Sequence, residues 1–140
     1  VVLLLDLGGM AAFYLTPLWA AAHHHPLVGA LVDVHMLLAG TLLAVVLVGP
    51  DPLPRRPGLP GALLVLLVAA AAHDVLAKIL YARLLPAGAG SPEQLRLAAQ
   101  VLYHGGTVVE VALAVVLMAR WYARGGRDLH RAERRERCGA

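Results

Sequence analysis

Histidine and methionine stand in this sequence where uninterrupted apolar helix would be expected. His35, His73 and His104 each lie inside a long run of Leu, Val and Ala, and so does Met10. Imidazole and thioether are donors that suit copper, with Cu(I) favouring the softer sulfur. Asp33 and Asp74 sit close to two of these histidines and could orient an imidazole through its second nitrogen. On a helix Asp33 and His35 point about 200° apart, whereas His73 and Asp74 differ by about 100°, so only the latter two can share one interior. Lys78 falls one turn after Asp74, the spacing of an i, i+4 ion pair; the alternative is an ammonium that snorkels outward. Asp6 and Glu110 are further ionisable groups in apolar segments.

The remaining candidates are less specific. His23, His24 and His25 form a run ahead of Pro26. They read either as a point of metal capture or as an interfacial turn, and adjacent positions on a helix fan out too far to chelate. Cys138 is a lone cysteine in a basic tail, an ordinary exposed thiol that supports no disulfide framework. No nucleophile motif, phosphate-binding loop or cofactor fingerprint is present. Two facing histidines such as His35 and His73 would meet the minimum for a haem.

The elements that must position these groups are membrane helices. Of 140 residues 59% are hydrophobic and only 15% charged, against about 25% charged in an ordinary soluble domain. A helix needs about 20 apolar residues to cross a hydrocarbon core of about 30 Å. Four segments meet that length: 1–22, 27–48, 59–84 and 93–123. The first is marginal because it holds Asp6, Gly8, Gly9 and Pro17. All four must be helical, since lipid offers no partners to open backbone groups. The expected fold is therefore an all-α integral membrane bundle over 1–123, followed by a basic, helical tail over 124–140. His25-Pro26, the prolines from Pro50 to Pro57 and the segment 86–90 mark the breaks. Ser91-Pro92-Glu93-Gln94 opens the last helix as a capping box with proline at its first position.

Charge then orients the bundle. Arg55, Arg56 and the tail arginines 120, 124, 127, 131, 134, 135 and 137 lie on one side; Lys78, Arg83 and Arg96 lie towards the other. This asymmetry predicts cytoplasmic N- and C-termini, with His23–His25 and the 86–90 loop outside. The tail reads as a topology anchor in contact with lipid headgroups, with no nucleic acid expected as partner. Tyr14, Trp19, Tyr81, Trp121 and Tyr122 suit the interfacial belts. At 1.5 Å rise per residue, His35 lies roughly 12 Å deep, His73 and His104 roughly 16 Å and Met10 near 18 Å. Three helices thus place an imidazole, and a fourth a thioether, at similar depth in the outer half. The competing reading makes each histidine a separate interhelical hydrogen-bonding group.

Several motifs resemble those of the CtaG-type cytochrome c oxidase assembly family. They are Tyr14-Leu15-Thr16-Pro17-Leu18, His25-Pro26, His35-Met36-Leu37-Leu38-Ala39-Gly40 and Gly49-Pro50-Asp51-Pro52 with Pro54-Arg55. Further along come His73-Asp74 with Lys78, Gln100 to Tyr103, Gly105-Gly106 with Glu110, and Arg120-Trp121-Tyr122. The likeness covers nearly the whole chain, which resembles the C-terminal half, or a short form, of family members that have more helices. It implies a non-enzymatic role in building cytochrome c oxidase by supplying copper, with the oxidase subunits as partners. By matched position it carries over His25, His35, His73 and Asp74. Gly29 and Asp33 depart from the pattern where histidine is common, as does Thr107 where an acidic residue is common. The alternatives are a copper or proton permease subunit, since intramembrane His and Asp also mark ion paths, and a haem-binding membrane cytochrome. A bundle with this many buried polar groups is expected to pair with further helices or form a homo-oligomer.

Overall fold

A computed structural model describes residues 2–49 and 58–139, with side chains as far as Gly125. The Arg55-Arg56 loop, Cys138 and the tail arginines beyond Arg124 fall outside the residues whose side chains are described. Among the described residues five helices follow one another: α1 (Val2–Leu15), α2 (Leu18–His24), α3 (Pro26–Val48), α4 (Leu59–Arg83) and α5 (Pro92–Gly139). Among the described residues there is no strand. The all-α membrane bundle expected from composition is what the chain forms. Among the described residues three helices are long and apolar enough to cross a bilayer, or four segments if the bent α1–α2 pair counts as one.

Local chemistry sets the helix ends. His25 is extended and both closes α2 and opens α3, where Pro26 takes a first-turn position that needs no N–H donor. The α4 helix closes at Leu84, which adopts the left-handed conformation with its N–H on the Leu80 carbonyl. At the start of α5 the Ser91 N–H donates to Gln94 Oε1 at 2.9 Å and the Gln94 N–H donates to Ser91 Oγ at 3.3 Å, a reciprocal capping box. The α5 helix continues unbroken through the basic tail.

The first segment departs from the single span expected over 1–22. It breaks after Leu15, and α2 turns 77° away from α1. Pro17 lacks the N–H that would continue the ladder. The Thr16 hydroxyl donates back to the Ala12 carbonyl and accepts the Leu18 N–H, so it replaces backbone partners at the break.

The core is split into two clusters stacked along the bundle. One joins Leu43 and Leu47 of α3 to Ala62, Leu66 and Ala69 of α4, with Val2 and Leu3 of α1 and Leu113 and Leu117 of α5 packed against them. The other joins Leu76 and Leu80 of α4 to Ala99 of α5, with Met10 and Tyr14 of α1 against them. The α1 helix therefore runs along the bundle axis from the first cluster to the second. Its 14 residues span about 21 Å, and the 77° turn then carries α2 away from that axis. Outside the clusters, large apolar side chains are broadly exposed, among them Leu27 at 80%, Leu37 at 70% and Val108 at 69%. Exposure on that scale suits hydrocarbon as the solvent.

Candidate functional site

Between the two apolar clusters lies a polar layer. His73 falls four residues after Ala69 of the first cluster and three before Leu76 of the second, on the same face of α4. It is 6% exposed, the one buried polar residue among those described. Its Nδ1 lies 3.3 Å from Glu110 Oε1 on α5, within ion-pair distance, yet no hydrogen bond closes at that nitrogen. The ring fits because the facing position on α5 is Gly106, where a Cβ would overlap the imidazole.

The second imidazole uses the same device. His35 of α3 reaches across to α1, and its Nε2 donates to the Leu5 carbonyl at 3.1 Å, which requires the proton on that nitrogen. Gly9 lies against the ring, and a Cβ there would again overlap it. A glycine on one helix thus admits a histidine from another at two separate crossings. Asp6, half-buried on α1, lies within electrostatic reach of both His73 and His35. Glu110 feels both His73 and Asp74. The layer therefore holds two imidazoles among the carboxylates of Asp6, Asp74 and Glu110. Met10 packs on the second cluster beside Leu76, which lies one turn from His73 on α4.

The other candidate residues lie elsewhere. His104 is exposed on α5 with its ring edge-to-face on Tyr103 at 5.2 Å, away from the layer. Asp33 is exposed on α3. His25 is exposed at the α2–α3 junction. His23 folds back on its own helix, stacked on Trp19 at 4.1 Å with Nδ1 2.9 Å from the Trp19 carbonyl. Lys78 turns its ammonium over the Tyr103 ring at 5.7 Å, and no ion pair to Asp74 forms among the described residues. The Thr107 hydroxyl donates to the Tyr103 carbonyl on its own helix. Among the described residues no three His, Cys, Asp or Glu side chains converge as a ready-made metal site. His35 meets the Leu5 carbonyl and His73 faces Glu110, so the two rings are held on different partners.

Sequence reasoning selected His35 and His73 but did not select Asp6, Gly9, Gly106 or Glu110 as parts of the site. Glycine spacing supplies a readable signal: Gly9 follows Asp6 by three residues, and Gly106 precedes Glu110 by four, so each glycine shares a helix face with its acid.

A family profile, cytochrome c oxidase caa3 assembly factor (Caa3_CtaG), matches residues 1–124. The chain belongs to that family. The matched stretch takes in every residue of the polar layer and all four apolar segments of this assembly factor. The chain has no match among curated proteins or among solved structures.

Proposed function

We propose that the chain works as a non-enzymatic, multi-pass factor of the bacterial plasma membrane that carries copper as cargo during assembly of cytochrome c oxidase. The observation that supports this reading is the buried His73 imidazole, whose Nδ1 has no hydrogen bond although Glu110 is 3.3 Å away. A buried imidazole nitrogen with no closed hydrogen bond, beside a carboxylate, is costly unless it is used. His73 and His35 supply imidazole and Met10 a thioether, the donor chemistry suited to Cu(I). Asp6, Asp74 and Glu110 supply negative charge around an incoming cation. The described arrangement holds no three converging ligands, so copper capture requires His35 to leave the Leu5 carbonyl and turn towards His73. The exposed His24 and His25 stand above this layer on the expected outer side and suit a first contact for copper.

The membrane placement rests on the apolar spans and on the arginine asymmetry, which puts both termini in the cytoplasm. Oxidase subunits are the expected partners, and the exposed apolar helix faces leave surface for them or for a second copy of the chain. The test is complementation. In cells lacking the chain, the wild-type sequence restores cytochrome c oxidase activity, and His73→Ala restores membrane insertion without restoring activity. Full activity from His73→Ala would overturn the assignment of the cargo site.

A further inference from the structure

We propose that the outer half of the α4–α5 face binds one anionic phospholipid, its phosphate held by Lys78 and Arg96 and an acyl chain lying in the groove between the helices. The proposal rests on the membrane placement above and is separate from the histidine layer. A groove of about 290 Å³ opens sideways on this face, lined by Ala77, Lys78, Tyr81, Ala99, Gln100 and Tyr103. Alanines from the two helices make its floor narrow and apolar, a shape for a chain of methylenes. Its polar groups gather on the rim. The Lys78 ammonium sits 5.7 Å from the Tyr103 ring centroid, and the Arg96 guanidinium 5.9 Å from that of Tyr81.

Both cations are exposed, and among the described residues neither pairs with a carboxylate. Lys78 stands five residues before the end of α4, and Arg96 four residues after the start of α5. Both therefore lie roughly 6–8 Å below the outer helix ends, a depth from which each side chain can extend to the phosphate level. Two cations without a carboxylate partner, each against a tyrosine that lines an apolar groove, complement a monoanionic headgroup with a hydrocarbon tail. Basic pockets between membrane helices recognise acidic lipids by this combination. The tyrosines hold each cation against a ring face, which keeps both charges oriented before the lipid arrives.

The test uses the full chain in lipid nanodiscs with equal phosphatidylglycerol and phosphatidylcholine, extracted into mild detergent and weighed by native mass spectrometry. Wild type is expected to retain a single phosphatidylglycerol in preference to phosphatidylcholine. Lys78→Gln with Arg96→Gln is expected to lower that retention roughly tenfold or more. Arg134→Gln with Arg135→Gln, in the tail expected at the opposite leaflet and away from the groove, is expected to leave that preference unchanged. Equal retention of the two lipids by wild type would overturn the proposal without recourse to any variant. Undiminished retention in the Lys78/Arg96 variant, or loss only in the tail variant, would overturn it too. So would crosslinking of position 78 to an oxidase subunit in place of lipid. Resistance of the wild-type chain to carbonate extraction is scored separately; its failure would count against the membrane placement rather than the groove.

Discussion

Glycine decides where the two inner imidazoles go. His73 lies against α5 only because Gly106 has no side chain, and His35 reaches the α1 backbone only because Gly9 has none. Gly8 and Gly105, each adjacent in sequence, have nothing within contact distance of an added Cβ. The pairs therefore separate close approach from helix propensity. Gly106→Ala and Gly9→Ala are expected to destabilise the bundle by about 1–3 kcal/mol, the usual cost of forcing extra carbon into a packed site. Gly105→Ala and Gly8→Ala are expected to cost nothing, and can gain up to about 1 kcal/mol through helix propensity. Unfolding in mixed detergent, followed by circular dichroism, measures the difference. The histidines were legible in the sequence, because an imidazole in a run of Leu and Val is conspicuous. Their partners were not, because glycine is common in membrane helices and its neighbour across a crossing is a property of packing.

At the scale of elements, the helix starts were easier to read than the break in the first segment. Ser91, Pro92 and Gln94 announce the start of α5 in sequence, and the hydrogen bonds follow that pattern. Removing both side chains as Ser91→Ala with Gln94→Ala is expected to cost about 0.5–2 kcal/mol, read in the same unfolding experiment. Pro17 signals a disturbance but not its size. A proline within a membrane helix can kink it mildly or end it, and the outcome depends on whether nearby groups take over the freed backbone partners. Thr16 does so here, and α2 turns 77° from α1. An α2 helix lying along the bilayer surface predicts that cysteines placed one at a time over 18–24 label with water-soluble maleimide in a one-sided helical period. Complete protection across the whole stretch would mean that α2 continues into the membrane.

At the scale of the molecule, the four apolar segments and the arginine asymmetry suffice to anticipate an all-α membrane bundle, since composition, length and charge act over many residues at once. Convergence of side chains is a finer matter of helix rotation. The depths of His35, His73 and His104 were matched in sequence, yet His104 faces outward while the other two face neighbouring helices. A rise per residue gives depth, and only packing gives azimuth. The orientation predicts that a cysteine at Ala89 labels from outside intact cells while Cys138 does not; labelling of Cys138 in sealed cells would reverse the bundle. The central claim is that the buried histidine layer carries copper, and the most direct measurement is the copper content of the full chain purified from copper-supplemented cells. The wild-type protein should retain copper, whereas His73→Ala and His35→Ala should lose it while remaining membrane-inserted and helical. Copper content equal to wild type in both variants would contradict the account and leave the layer as packing alone.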